Sequence, residues 1–156
     1  DWIGIDELVG SAVRRLKRYL PKVQVRIRMP EEAMSLFVHA ALIEQAIFNV
    51  LENAAKFSSE DEAVEIEVKK VSDEQIQIAI SDQGLGIPEG ERNRIFDMFY
   101  TMQRGDRGQY GTGLGLTIVK AIIGAHMGQI SATEAKNHRG TCIRIVLPIQ
   151  QGINEK

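Results

Sequence analysis

The chain has 156 residues, 44% of them hydrophobic, and a formal net charge of −2, which suits one domain with an ordinary packed core. Basic and acidic residues are interspersed, so the charge pattern excludes an extended basic surface for nucleic acid or membrane. The single cysteine, Cys142, excludes an internal disulfide and a cysteine zinc site.

No apolar run approaches the length needed to span a bilayer, and no signal peptide is visible. The chain begins with Asp1 rather than an initiator methionine. We therefore expect it to be part of a longer protein.

The first half of the chain predicts two helices and two strands. Ile5–Leu20 has apolar residues at helical spacing, acidic residues early and basic residues late, which is typical of an amphipathic helix. Val23–Met29 alternates apolar and polar residues and predicts a half-buried strand. Leu36–Val38 predicts a short strand, and a long helix is predicted from about Ala41 to Phe57.

The long helix has a polar face rich in side-chain amides. At 100° per residue, one wedge roughly 100° wide contains five polar residues: Gln45, Asn49, Glu52, Asn53 and Lys56. Such a face fits a solvated surface, but Asn is a poor residue for a helix interior. Two amides one turn apart, with a lysine beyond them, also offer oxygens to a hard cation and an ammonium group to phosphate.

The second half predicts more strands and one more helix. Val64–Val71 and Gln75–Ser81 alternate at period two and predict a hairpin. Leu114–Met127 is apolar nearly all round and predicts a buried helix. Gln129–Thr133 and Thr141–Leu147 predict two closing strands, followed by a polar tail at 150–156.

Residues 88–110 form a long charged and glycine-containing connection around one apolar cluster, Ile95–Tyr100. A connection of this length is usually functional, so we interpret it as a lid, with a disordered insertion as the alternative. Together these segments predict one domain over 1–149 with an α/β (α+β) fold. We expect a two-layer sandwich in which a mixed, largely antiparallel sheet packs on helices.

Two glycine-rich segments complete the candidate site. Gly111–Leu116 has alternate glycines directly before a predicted helix, where free backbone N–H groups attract phosphate. Asp82 follows a predicted strand and precedes Gly84 and Gly86, so its carboxylate could accept a hydrogen bond from an exocyclic amine. Each segment alone also fits an ordinary loop or turn, and neither has P-loop or Rossmann spacing.

The four segments occur in one order that resembles a known family. Asn49-x-x-x-Asn53-Ala54-x-Lys56-Phe57, Asp82-x-Gly84-x-Gly86, Ile95-Phe96-x-x-Phe99 and Gly111-x-Gly113-x-Gly115-Leu116 are similar to the N, G1, F and G2 boxes of the catalytic ATP-binding domain of two-component sensor histidine kinases. The resemblance covers essentially the whole chain. It implies the GHKL (Bergerat) fold with an ATP lid, and the cofactors ATP and Mg²⁺.

The resemblance implies roles for the polar helix face and the aspartate segment. Asn53 would be the principal Mg²⁺ ligand, with Asn49 supporting the metal and the phosphates, and Lys56 would contact phosphate. Asp82 would accept from the adenine amino group. The adenine pocket would be completed by four further residues: Phe57, Gly84, Gly86 and Ile87.

For the lid, the resemblance implies an anchor at Phe96 and Phe99. Arg104 or Arg107 is the candidate for contact with the γ-phosphate. The hinge and the phosphate-side wall would be formed by the second glycine segment: Gly111, Thr112, Gly113, Leu114, Gly115 and Leu116.

One position separates this chain from related hydrolases. Gyrase-, Hsp90- and MutL-type ATPases resemble the same pattern but carry a glutamate one turn before the metal-binding asparagine, where it deprotonates water. This chain has Asn49 there, so we expect slow hydrolysis. None of His39, His126 and His138 resembles the family's phospho-accepting motif, and we interpret each as a surface or turn histidine.

The resemblance therefore implies a phosphoryl donor whose acceptor histidine lies on an upstream dimerisation domain. It also implies transfer onward to a response regulator and a cytoplasmic position in a membrane-bound bacterial sensor. We expect the isolated domain to be a monomer, without nucleic-acid or direct membrane contact. The alternatives are a non-catalytic nucleotide-sensing or protein-interaction module and an anti-sigma-type serine kinase on the same fold.

A finer resemblance is to the Kdp-type kinases, which respond to turgor and potassium. It depends on short runs such as Leu42–Gln45 and Ala125–Ala132, parts of which neighbouring subfamilies share. Met127, where glycine is common, and Gln83, where Glu or Asn is more frequent, depart from the pattern.

Overall fold

The computed structural model describes residues 1–58, 61–84, 90, 92, 94–96, 115–135 and 140–149. Three helices are present in these residues: α1 (Ile5–Tyr19), α2 (Ala40–Phe57) and α3 (Gly115–Ala125). The strands are β1 (Trp2–Gly4), β2 (Val25–Arg28), β3 (Ser35–Phe37), β4 (Val64–Ser72), β5 (Gln75–Ser81), β6 (Gln129–Glu134) and β7 (Thr141–Pro148). A 3₁₀ helix spans Arg94–Phe96.

The main sheet has five strands in the order β2-β4-β5-β7-β6. The β2 and β4 strands are parallel, and the other three pairs are antiparallel. This confirms the predicted mixed, largely antiparallel sheet and the predicted hairpin of β4 and β5. The β1 strand, which the sequence did not predict, pairs with β3 in a separate two-stranded sheet, and three residues are too few to show an alternating pattern.

The core lies between the main sheet and the helices. Alternate residues of β4 and β5 are buried, as period-two strands with one covered face require. The α2 helix is the central helix because it packs against both α1 and α3. Its buried residues face that core: Ile43, Ala46, Ile47, Phe48, Val50, Leu51, Ala54 and Ala55. The predicted two-layer sandwich is confirmed.

The prediction that the last helix is a buried helix was wrong, since α3 is covered on one side only. Only Val119, Ile122 and Ile123 of α3 are buried, and Ile118 is 45% exposed. The apolar pattern is present on every side, but α3 packs mainly against α2, β6 and the 3₁₀ helix. Burial depends on which neighbours the fold supplies, and a nearly uniform apolar pattern does not identify the covered face.

Two of the three histidines join the start of α2 to the end of α3. The N–H group of His39 donates to Nε2 of His126 at 3.1 Å, and Nδ1 of His126 lies 2.8 Å from the Ile122 carbonyl oxygen. Because Nε2 accepts, Nδ1 carries the proton and donates to that carbonyl. His39 is exposed and His126 lies in a turn, which confirms their interpretation as surface and turn residues. His138 lies outside the described residues.

Met127 has a φ of 63° and is 83% exposed. We expect Met127→Gly to raise the free energy of unfolding by about 0.5–1 kcal/mol, because relief of left-handed strain outweighs the added flexibility of the unfolded chain. Urea unfolding measures this change. Met127→Ala is the control, since alanine keeps the strain, and an equal gain from alanine would contradict this explanation.

Candidate functional site

The polar face of α2 lies beside the start of α3. Asn49, Asn53 and Lys56 are half-buried and stand at spacings of four and three residues, which place them along one side of a helix. The amide group of Asn49 donates to the Gly115 carbonyl oxygen at 3.4 Å. Asn49 on α2 therefore contacts the Gly111–Leu116 segment near its end.

Asp82 is buried at the carboxyl end of β5, with 5% of its surface exposed. Its Oδ1 atom accepts hydrogen bonds from the N–H groups of Gly84 at 2.9 Å and of Thr141 at 3.2 Å. Its own N–H group donates to the Thr141 carbonyl oxygen at 2.9 Å. These bonds fix the position of the Asp82 carboxylate, and a carboxylate acts as a hydrogen-bond acceptor through both of its oxygens.

The Asp82–Gly84 segment is packed against the end of α2. A Cβ atom at Gly84 would lie 2.0 Å from the carbonyl oxygen of Phe57, the last residue of the helix. The Gln83 N–H group donates to Oγ of the buried Ser58 at 3.4 Å. The backbone of the Asp82–Gly84 segment thus lies directly against the backbone at the carboxyl end of α2, next to the half-buried Phe57.

Gly140 also packs against the Asp82–Gly84 segment. It has a φ of +79°, and a Cβ atom there would lie 2.1 Å from the Asp82 carbonyl oxygen. Left-handed backbone and close approach both require glycine at this position. Asp82 is therefore enclosed by backbone on two sides.

The start of α3 is open on one side and anchored on the other. Gly115 is exposed, and no atom lies within 4 Å of a Cβ built there, while Leu116 packs against the core. Thr117 Oγ1 donates to the carbonyl oxygen of Phe96 at 3.0 Å, and Phe96 is buried with Ile95 in the core. The 3₁₀ helix is thereby attached to α3.

The remaining predicted site residues lie outside the described part of the chain: Gly86, Ile87, Phe99, Arg104, Arg107, Gly111, Thr112, Gly113 and Leu114. The same holds for most of the predicted lid, 88–110. Of the predicted site residues, the structure brings together Asn49 with Gly115, Asp82 with Gly84, and Gly84 with the backbone of Phe57. Their roles toward a nucleotide stay predictions.

Sequence reasoning missed Ser58, Gly140 and Thr141, which hold the aspartate segment. Thr141 comes 59 residues after Asp82 along the chain and reaches it because β5 and β7 are paired. Only Gly140 carried a signal, as a glycine directly before the predicted strand Thr141–Leu147.

Comparisons with known proteins give one consistent family. Residues 38–151 match the family described as histidine kinase-, DNA gyrase B-, and HSP90-like ATPase. The sensor protein KdpD of Clostridium acetobutylicum is 34% identical over 145 residues, which are 92% of this chain and 16% of that protein. The adaptive-response sensory kinase SasA of Gloeothece citriformis is 35% identical over 121 residues, which are 78% of this chain and 30% of that protein.

Among solved structures, the mycobacterial sensor histidine kinase MprB superposes with a TM-score of 0.83 at 27% identity, over 96% of this chain and 97% of that one. The chain spans less than two thirds of the length of the curated relatives it matches. No helix among the described residues is long and apolar enough to cross a membrane.

The family match covers most of the chain, and its fold is that of a sensor kinase domain. The chain belongs to the histidine kinase-, DNA gyrase B- and HSP90-like ATPase family, and within it to the ATP-binding catalytic domains of two-component sensor histidine kinases.

Proposed function

We propose that this domain binds Mg²⁺-ATP and donates the γ-phosphate to a histidine on a separate dimerisation domain of the same protein. The observation that carries the proposal is the contact between the Asp82 segment and the carboxyl end of α2, the helix whose polar face bears Asn49, Asn53 and Lys56. The Gly84–Phe57 contact holds the Asp82 carboxylate close to the end of α2, and α2 also presents two amides and a lysine. One nucleotide could place its base near Asp82 and its phosphates along α2.

The residues present fit a hard cation. Asn53 is half-buried at one turn from both Asn49 and Lys56, and among the described residues its amide has no hydrogen-bond partner, which leaves its oxygen available to a metal. When bound, Mg²⁺ would offset phosphate charge. Lys56 would contribute a further positive charge on the same helix face.

Asn49 supports transfer rather than hydrolysis. An amide cannot accept a proton from water, which is the role of a general base. In addition, its oxygen already accepts a hydrogen bond from Gln45 Nε2 at 2.7 Å. The γ-phosphate would therefore remain intact until an acceptor side chain reaches it, and catalysis would consist mainly of positioning and charge neutralisation.

For the whole protein, we propose onward transfer of the phosphoryl group to an aspartate of a response regulator. We also propose that the domain lies on the cytoplasmic side of a membrane-bound bacterial sensor. KdpD and SasA are named as a sensor protein and a sensory kinase, which supports the proposal that the whole protein is a sensor kinase.

We expect Asn53→Ala to remove most of the Mg²⁺-dependent affinity for ATP, a loss on the order of 100-fold, while ATP binding without metal and the unfolding midpoint stay nearly unchanged. The reason is that the proposed metal ligand is lost, while the side chain makes no internal hydrogen bond among the described residues that folding would need. Calorimetric titration with ATP and ADP, each with and without Mg²⁺, measures the change. Asn137→Ala, at a position between β6 and β7 in the sequence to which no role is assigned, is the matched control.

Unchanged Mg²⁺-dependent affinity in Asn53→Ala would contradict the metal assignment. A phosphate-release assay on the same wild-type sample then tests the reaction. Negligible release together with transfer to a histidine on an added dimerisation fragment is the expected result. Brisk release would instead identify a hydrolase, and no nucleotide binding would leave only an interaction module.

A further inference from the structure

A chain of three side chains leads from α1 to the site. Arg15 Nη1 donates to Oε1 of Gln45 at 2.8 Å, and Gln45 Nε2 donates to Oδ1 of Asn49 at 2.7 Å. Asn49 Nδ2 then donates to the Gly115 carbonyl oxygen at 3.4 Å. The chain therefore joins α1, α2 and α3 through side chains that are all half-buried.

Arg15 is itself held from several directions. Its guanidinium carbon lies 4.0 Å from the centre of the Phe48 ring, and Nη1 lies 3.8 Å from Oε2 of Glu44. The other oxygen of Glu44 accepts from Ser11 Oγ at 2.6 Å. An arginine stacked on an aromatic ring and paired with a carboxylate has little freedom to turn.

The donors and acceptors run in one direction along this chain. A guanidinium only donates, so the oxygen of Gln45 must face Arg15 and its NH₂ group must face Asn49. It follows that the oxygen of Asn49 faces Gln45 and its NH₂ group faces Gly115. An isolated amide could turn either end toward a ligand, whereas this amide has its orientation set from α1.

We propose that Arg15 and Gln45 are positioning residues that set which end of the Asn49 amide faces the nucleotide. The inference rests on the proposed function. One lone pair of the Asn49 oxygen is used by Gln45, and one N–H group is used by Gly115. Within the contacts of the described residues, a second lone pair and a second N–H group are left, in directions that the hydrogen-bond chain determines. Asn53 lacks such a chain in the described structure and is free to adapt to the ligand.

The arrangement also explains the residue types. Methionine or leucine at position 45 would suit a helix equally well, but neither side chain could accept from Arg15 and donate to Asn49, whereas an amide does both. Glutamate could accept from Arg15 but could not donate onward. We infer that Gln45 is present for the hydrogen bonds it relays.

The test compares Arg15→Met, Gln45→Met and the double variant with the wild-type chain. The measured quantity is the ratio of ATP affinities with and without Mg²⁺, with urea unfolding on each sample. We expect each single variant to lower this ratio on the order of tenfold, the lower end of the cost of losing a partner that orients a ligand. The double variant should lower it no further, since both act through Asn49.

Two matched variants separate positioning from stability. Arg18→Met removes an exposed arginine from the same helix and should leave the ratio unchanged. Arg15→Lys keeps a donor and should keep the ratio within about twofold, although lysine lacks the planar fork of arginine. In an Asn49→Ala background, Gln45→Met should no longer alter the ratio, although it should still affect unfolding.

Variants with wild-type ratios would overturn the proposal, as would an undiminished effect of Gln45→Met in the Asn49→Ala background. A wild-type chain without Mg²⁺-dependent ATP binding would instead contradict the proposed function itself. The two failures are therefore distinguishable from the same set of titrations.

Discussion

Replacing Gly84 by alanine should lower the free energy of unfolding by about 3 kcal/mol and weaken binding of every adenine nucleotide. The added Cβ atom would lie 2.0 Å from the carbonyl oxygen of Phe57 and 3.0 Å from its carbonyl carbon. Both are backbone atoms at the end of α2, so no side chain can rotate to make room. The helix end and the Asp82 segment must move apart, and Asp82 moves with them.

Urea unfolding and nucleotide titration of the same sample measure both effects. Gly124→Ala is the matched control, because Gly124 is exposed in α3 and no atom lies within 4 Å of a Cβ built there. That control should raise the free energy of unfolding by about 0.5–1 kcal/mol, since alanine is the better helix former. Equal results for the two substitutions would contradict the close packing at Gly84.

Asp82→Asn should weaken binding of ATP and ADP equally, on the order of 100-fold, with or without Mg²⁺. The N–H groups of Gly84 and Thr141 both donate to Oδ1, so the amide oxygen of the variant must occupy that position. The NH₂ group then replaces Oδ2. Under the proposed adenine role, the adenine amino group would then meet a donor in place of the carboxylate acceptor.

Fluorescent-nucleotide competition at a temperature where the variant is folded measures the loss. Asp73→Asn, in the exposed turn between β4 and β5, is the control and should bind like the wild-type chain. A loss confined to Mg²⁺-ATP would contradict the adenine role and would place Asp82 on the metal side. Unchanged affinity for ADP would also contradict the adenine role.

The spacing of apolar residues along the chain predicted most helices and strands, because it repeats clearly in each of them. The α1 and α2 helices lie within one residue of their predicted bounds, and the β4–β5 hairpin has its turn where expected. The four glycine, asparagine and aromatic segments also identified the family, because their order and spacing together are specific even though each segment is ambiguous. The candidate residues on α2 could therefore be selected from the sequence.

Contacts between distant segments could not be predicted in this way. Thr141 reaches Asp82 only because β7 pairs with β5, and Arg15 reaches Gln45 only because α1 packs on α2. The sequence placed Gln45 on the polar face of α2, but it did not indicate that Arg15 on α1 would be its partner. The exposure of Ile118 had the same cause, since α3 is covered only where the fold supplies neighbours.

By itself, the sequence determined the helices, most strands, the order of the four segments and the family to which they belong, since these depend on residues close together in the chain. The tertiary structure alone decided how Asp82 is held, why Gly84 and Gly140 must be glycine, and which way the Asn49 amide faces. Those features depend on atoms brought together from segments far apart in the chain, where hydrogen-bond direction and backbone contact are set by packing.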